Sequence, residues 1–289
     1  MNRKTRHIVF ALLIVLIVLL ILFLLAFFLF YGSNYEKQWT TLGNISVVFF
    51  DVGQGDSILV QMPNGRSMLI DGGSLNSGPS LLEKIKSRGI KKIDVVVATH
   101  PDSDHIGGLL QIFQDISVGE YVYNCAPCTT ETCLELEYYT ADTQKNCVKK
   151  GDKILLQDGI DIKVLNPPLT LFEEDNDNSI VLLLEYGESS FLFTGDCMKN
   201  CEEALEKTEA DVLKVAHHGS SSSTSAHFLS KVRPKIAVIS VGENKYGHPS
   251  QKVASLLQDH GIDVFRTDTI GTIEIKTDGQ KFFVNGQAE

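Results

Sequence analysis

The segment Thr99-His100-Pro101-Asp102-Ser103-Asp104-His105 holds four side chains able to bind a divalent cation, packed directly behind an apolar, β-branched run. A chain that leaves a strand and turns into a helix can converge alternate side chains on one point, which suits one or two metal ions. A solvated acidic loop, with Asp104 favourably placed near a helix N-terminus, would use the same residues. Four more strand ends carry groups of this kind: Asp71 in Ile70-Asp71-Gly72-Gly73, Asp196 in Phe193-Thr194-Gly195-Asp196, the pair in Ala216-His217-His218-Gly219-Ser220, and His248 in Tyr246-Gly247-His248-Pro249-Ser250. Each has a plain counterpart: ordinary turns at 71–73 and 194–196, core histidines at 217–218, and Ser250 as a helix N-cap beside a surface His248. The set says more than its members. Five of the eight His residues fall at such positions, whereas His7, His227 and His260 lack that company and read as structural. Gathered at one edge of a fold, these ligands would form a binuclear site with a metal-bound water as nucleophile.

The elements that must position them alternate along the chain. Ile45–Phe50, Ser57–Met62 and Ser67–Ile70 are β-rich, with Asn64-Gly65 as a hairpin turn. Pro79 and Ser80 open an amphipathic helix through Arg88 that Gly89 ends. Ile93–Ala98 is a buried strand, and a helix is predicted from Asp104 to Phe113. Residues 124–150, with four cysteines, interrupt the rhythm and read as an insertion. Strands then follow at Lys153–Leu156, Ile160–Leu165, Ser179–Tyr186, Ser189–Thr194, Val212–Ala216, Ile236–Val241 and Asp263–Arg266, with a last hairpin at 271–284. Helices are expected at Asn200–Lys207, Ser225–Val232 and Gln251–His260. Two sheets packed face to face with helices outside accommodate this pattern.

Residues 8–31 are uncharged and apolar, and Arg3, Lys4 and Arg6 precede them. At roughly 1.5 Å per residue such a run spans the ~30 Å of bilayer hydrocarbon. The basic side stays in the cytoplasm, so the expected topology is a cytoplasmic tail (1–7), one transmembrane helix (8–31), a linker (32–44) and an extracytoplasmic domain (45–289) at the cell membrane. A cleaved signal peptide is the alternative. The chain carries 26 Lys and Arg against 36 Asp and Glu, and all but three of the basic residues lie beyond residue 31. That acidic balance excludes a broad basic face coating nucleic acid but leaves room for a local phosphate site. Cys125, Cys128, Cys133 and Cys147, with Cys197 and Cys201, make an even set that an exported domain can pair as disulfides; the first four offer a four-cysteine zinc site instead.

Phe50-Asp51-Val52-Gly53-Gln54-Gly55-Asp56, the His-Pro-Asp-Ser-Asp-His run, Asn178-Ser179, Thr194-Gly195-Asp196, His217-His218-Gly219-Ser220 and Tyr246-Gly247-His248-Pro249 occur in an order that resembles the metallo-β-lactamase superfamily. More closely, they resemble the external metallo-β-lactamase-like domain of ComEC-type competence proteins, over about residues 45–276. The resemblance implies an αββα four-layer sandwich, two divalent metal ions (Zn or Mn) and a hydrolase centre linked to DNA uptake. It implies His100, Asp102 and a later His, taken as His217, on one metal, and Asp104, His105 and His248 on the other, with Asp196 bridging. Asp71 would orient a ligand imidazole, and His218 would stabilise the developing oxyanion and protonate a leaving group; Asp104 also serves catalysis. Lys214 and Ser220 are candidates to hold a substrate phosphate, though Lys214 can equally be a solvated strand residue. Asp102 stands where the wider superfamily has a second His, as in the ComEC-type group, which hardens the donor set and brings Mn²⁺ into contention with Zn²⁺. No plain counterpart of the superfamily's middle-region His is found; Asn178 lies in that region. The multi-helix channel of full competence proteins is absent from this sequence, so import of DNA by this chain is expected to need a membrane-channel partner.

The leading reading is a membrane-anchored hydrolase using a metal-bound hydroxide, a phosphodiesterase or nuclease acting on DNA, single-stranded DNA included, outside the membrane. Two others stand beside it: an amide, ester or lactam hydrolase of the same superfamily, and a non-catalytic surface module that binds DNA or a partner membrane protein.

Overall fold

The computed structural model describes residues 16–23, 43–285 and 287–288, and the chain divides between Gly43 and Asn44 into two compact units. In the first unit, residues 16–23 are helical with every side chain exposed. The rest of the expected transmembrane run 8–31, and residues 32–42 of the expected linker, lie outside the described residues. Among the described residues no helix is long and apolar enough to cross a membrane.

The second unit is a two-sheet sandwich. One sheet contains β1 (Ile45–Phe49), β2 (Ile58–Gln61), β3 (Ser67–Ile70), β4 (Lys92–Ala98), β5 (Ser117–Tyr123) and β6 (Gln144–Cys147), and is extended beyond β1 by β14 (Ile273–Thr277), β15 (Phe282–Val284) and β16 (Gln287–Ala288). The other runs in the order β13-β12-β11-β10-β9-β8-β7, from Asp263–Arg266 (β13) through Ile236–Ile239 (β12), Val212–Lys214 (β11), Ser189–Phe193 (β10), Val181–Tyr186 (β9) and Ile160–Asn166 (β8) to Lys153–Ile154 (β7).

Helices cover the outer faces. Leu81, Leu82 and Ile85 of α1 (Gly78–Ser87) and Leu109 and Ile112 of α3 (Leu109–Asp115) pack with Val48, Leu59, Leu69 and Val96 of the first sheet. Phe228 and Leu229 of α6 (Ala226–Val232) and Val253 and Leu257 of α7 (Gln251–Asp259) pack with Leu183, Leu192, Leu213 and Ala237 of the second. The alternate side chains, Phe49 and Val60 against Leu182 and Phe193 among them, are buried between the sheets, where the Phe49 and Phe193 rings lie 6.4 Å apart. Being covered on both faces is why Val95-Val96-Val97 and Ile236–Ile239 read as continuous apolar runs rather than alternating ones.

Direction matters more for function than layer count. Strand β2 is antiparallel to both β1 and β3, so β1, β3 and β4 run the same way; β10, β11, β12 and β13 are mutually parallel. The loops that leave the C-terminal ends of these strands hold Asp56, Asp71, His100–His105, Asp196, His217–His218 and His248. Carboxyl ends of parallel strands are where open α/β sheets place their ligands.

Two expectations are corrected. The single helix from Asp104 to Phe113 is two helices, α2 (Ser103–Ile106) and α3, parted at Gly107-Gly108. The break comes from a close approach: a Cβ on Gly108 would sit 2.0 Å from the Gly72 carbonyl oxygen, so the backbone turns away where the Asp71 loop passes. The segment 124–150 adds α4 (Glu131–Tyr139) and then β6, which pairs in parallel with β5, so it continues the sheet rather than interrupting it. All six cysteines are disulfide-bonded, as Cys125–Cys147, Cys128–Cys133 and Cys197–Cys201, which replaces the four-cysteine zinc alternative. The first bridge ties the start of this segment to the end of β6.

Candidate metal centre

Asp71 is fully buried at the end of β3 with φ +57°, a left-handed conformation that Asp tolerates better than most residues. Its carboxylate accepts from Thr99 N (2.8 Å), Thr99 Oγ1 (2.7 Å) and His105 Nδ1 (2.7 Å). The Thr99 hydroxyl has one proton and gives it to Asp71. Toward His100 Nδ1, 3.1 Å away, that oxygen can therefore only accept. His218 Nδ1 lies 2.8 Å from the Ser240 carbonyl, which also only accepts. Three partners thus fix three imidazoles with Nδ1–H outward and Nε2 inward, the orienting role that metal ligands receive from their neighbours.

The inward atoms are orphans. His100 Nε2, His105 Nε2, His218 Nε2 and Asp196 Oδ1 are buried with no hydrogen-bond partner among the described residues. Four unpaired buried polar atoms in one place are costly unless something else satisfies them. His100, His105 and Asp196 offer donor atoms all within 4.8 Å of one another, as do Asp104, His105 and His218, and Asp56, Asp196 and His218. Asp196 lies between the groups, with Oδ1 3.2 Å from His105 Nε2 and Oδ2 3.7 Å from His218 Nε2 and 4.0 Å from His100 Nε2. Asp102 Oδ2 is 3.6 Å from His100 Nε2, and Asp104 Oδ2 is 3.4 Å from His218 Nε2; both carboxylates are half-buried at the rim. Imidazole suits Zn and carboxylate suits Mn or Mg, so the residues present fit a divalent cation held on mixed N/O donors.

The paired His residues separate here. His217 and His218 both adopt left-handed backbone (φ +50° and +52°), followed by Gly219 at +82°. Such residues cost of order 1–3 kcal/mol each and persist where surroundings enforce them; His217 N donates to Gly195 O (3.1 Å) and Ser220 N to His217 O (2.8 Å). The turn sends His218 inward, into two of the donor groups. His217 stays partly exposed, its Nε2 3.7 Å from Asp196 Oδ2, and its ring centroid is 5.4 Å from that of His248. Neither His217 nor His248 joins a donor group. Ser250 caps α7, accepting from Val253 N at 3.3 Å, and Ser220 is buried with its hydroxyl 2.9 Å from that of Ser222. Asn178 turns its side chain to the loop at Phe172 and Glu174 rather than to the centre.

Lys214 and Asp56 are the largest departure from the sequence reading. Lys214 is 1% exposed; its Nζ pairs with Asp56 Oδ2 and donates to Gly195 O at 3.3 Å, so it lies beneath the centre and not on an open phosphate-binding face. Asp56, given no role from sequence, is equally buried. Its Oδ1 is 3.5 Å from His218 Nδ1, its Oδ2 3.8 Å from His105 Nδ1, its N–H donates to Asp104 O and its carbonyl accepts from Gly73 N. The one available signal was its place in Gly53-Gln54-Gly55-Asp56: a Cβ on Gly55 would sit 2.3 Å from Asp104 O.

Charges follow this packing. Burial alone would lower the His218 pKa, but Asp196, Asp56 and Asp104 outweigh it and raise it to about 9. Burial likewise opposes, and Asp196 and Asp71 overcome, a rise at His105 to well above its ordinary value. Burial would raise Asp196, yet His105 and His218 hold it well below the carboxylate range. At His217 and His248 burial prevails and lowers both. Asp71→Asn keeps the shape of the 71–73 turn but loses the carboxylate that fixes His105. Metal affinity, read by competition with a chromophoric chelator, is expected to fall about 10–100-fold; unchanged affinity would deny Asp71 that role.

The profile of the Metallo-beta-lactamase superfamily matches residues 50–243. The chain is 37% identical over 256 residues to ComE operon protein 3 of Bacillus subtilis (strain 168), covering 80% of this chain and 33% of that protein. It is 32% identical over 236 residues to Competence protein ComA of Neisseria gonorrhoeae, covering 79% and 32%. It thus spans about a third of the length of the curated relatives it matches. Among solved structures, the metallo-beta-lactamase fold protein YhfI from Bacillus subtilis superposes with a TM-score of 0.54 at 14% identity, covering 81% of this chain and 100% of that one.

Proposed function

The chain belongs to the metallo-beta-lactamase superfamily, and from that premise we propose that it is a membrane-anchored, metal-dependent phosphodiesterase acting on DNA outside the membrane. The observation that carries this reading is the set of three oriented, unpartnered imidazole nitrogens and Asp196, shared among overlapping buried donor groups. The resemblance of the motifs to ComEC-type proteins supports DNA as the substrate class, and one matched relative is named Competence protein ComA. The charge-free run 8–31 behind Arg3, Lys4 and Arg6 supports the anchor, with the catalytic unit on the far side. A membrane-channel partner would provide the passage for DNA.

His100, His105, His218 and Asp196, with Asp104 and Asp102 at the rim, would hold the cation or cation pair, Zn or Mn. Such a group polarises a phosphoryl oxygen and lowers the pKa of water toward neutrality. Asp71, Thr99 and the Ser240 carbonyl keep the three imidazoles aimed. Buried Asp56 and Lys214 form the floor and exclude water from below. His217, kept neutral at pH 7 by burial, can take a proton at Nε2 beside Asp196, which suits a base near the site of attack.

The test is turnover of single- and double-stranded oligonucleotides by the full chain with Mn²⁺ or Zn²⁺. Cleavage is expected, and Asp104→Ala should reduce it to background while the far-ultraviolet circular dichroism stays unchanged. Absence of cleavage with every divalent cation tried would sink the proposal, and full activity in Asp104→Ala would sink the site.

A further inference from the structure

The loop 242–248 beside the metal centre holds an aromatic group the reaction above does not use. Tyr246 is 64% exposed, and an exposed aromatic on its own means little. Three features set this one apart. Its ring stacks on His248 at 5.7 Å and 30°, and His248 is 5.4 Å from His217, whose Nε2 lies 3.7 Å from Asp196; a file of rings leads from the rim to the metal floor. The loop is held rigidly. Asn244 donates to Gly242 O and His248 O (both 2.8 Å), and its Oδ1 accepts from Tyr246 N and His248 N (3.1 and 3.0 Å). Tyr246 also borders an open depression of about 430 Å³, lined by Gln54, Glu243, Asn244 and Lys245.

We propose that Tyr246 is a stacking platform for one unpaired nucleobase of the substrate, with Lys245 meeting the adjoining phosphate. This rests on the phosphodiesterase reading and narrows its substrate to single-stranded nucleic acid, because a base inside a duplex has no free face to offer. In the free chain Lys245 Nζ lies 5.7 Å from the Tyr246 ring centroid. An exposed cation–π contact is worth about 2- to 5-fold in affinity, whereas base–aromatic stacking is worth about 5- to 150-fold. A base therefore displaces the ammonium, which is freed for phosphate. Glu243, the other charged group here, repels phosphate and keeps the backbone on the Lys245 side.

The experiment uses the full chain with Mn²⁺ and two labelled oligomers, a short oligodeoxyadenylate and an abasic oligomer of equal length, read both by fluorescence anisotropy and by cleavage. The wild-type chain should bind the base-bearing oligomer about 10-fold more tightly, and with a correspondingly lower KM. Tyr246→Ala should erase that preference while leaving kcat on the abasic oligomer within about twofold, and Tyr246→Phe should retain it. Equal affinities for the two oligomers in the wild type, or a preference that survives Tyr246→Ala, overturns the platform. Because anisotropy needs no turnover, base-dependent binding without cleavage upholds the platform and defeats the phosphodiesterase; cleavage without base dependence does the reverse. A chain that neither binds nor cleaves defeats both.

Discussion

Lys214→Met should cost the folded chain about 3–5 kcal/mol, the penalty for stranding one member of a buried ion pair. Asp56 and Lys214 are each 1% exposed and paired with each other. Burial would raise the Asp56 pKa; the Lys214 ammonium and His218 outweigh it and hold the carboxyl far below its ordinary range. A group depressed in the folded state contributes stability above its unfolded pKa, about 3.9, and loses it only as pH falls through the folded value. The cost of Lys214→Met should therefore be undiminished at pH 7. Adding Asp56→Asn should return a large part of it, since a neutral pair avoids the uncompensated charge. Equilibrium denaturation of the metal-free single and double variants measures both. A loss below about 1 kcal/mol would mean that Lys214 is not the counter-charge, and a purely kinetic effect on DNA cleavage would return it to the phosphate-binding role read from sequence.

The contrast between Lys214 and its neighbours shows what a sequence can reveal about this site. Asp71, His100 and Asp196 were legible because each comes within three residues of the end of an apolar strand, and Asp104 and His105 because they share the dense run that starts at His100; parallel strands deliver such C-terminal loops to one edge. Asp56 follows β1 in the same way, but seven residues on; its burial depends on backbone approaches at Gly55 and Gly73 that no local pattern encodes. The choice between His217 and His218 turned on two left-handed residues in succession, which strand periodicity cannot foresee. Strand β6 was missed for another reason: Gln144–Cys147 is exposed throughout, so an edge strand covered on neither face shows no alternation to read. The split of the Asp104–Phe113 helix had a visible marker in Gly107-Gly108, yet the cause, contact with Gly72, is tertiary.

Through His218 alone, metal affinity should rise about 50-fold between pH 7 and pH 9, an effect of about 2.3 kcal/mol at about 1.36 kcal/mol per pKa unit. The Nδ1 atoms of His218 and His105 are committed to Ser240 and Asp71, so the proton that raises each pKa resides on Nε2, the atom a cation must take. With His218 at about 9, only about one metal-free molecule in a hundred offers that nitrogen unprotonated at pH 7. His105, raised by Asp196 and Asp71, acts in the same direction. The sign for metal-free stability is opposite. Both imidazolium–carboxylate sets contribute fully below the unfolded His pKa of about 6.5 and fade as pH rises through the folded values, so the metal-free chain weakens in the range where the metal-bound chain gains. Calorimetric titration with Mn²⁺ in buffers of different ionisation heat should register proton release at pH 7 that dwindles above pH 9. Affinity that stays flat across this interval would show that His218 does not surrender a proton to the cation, and with it would go the assignment of Nε2 as a metal-facing atom.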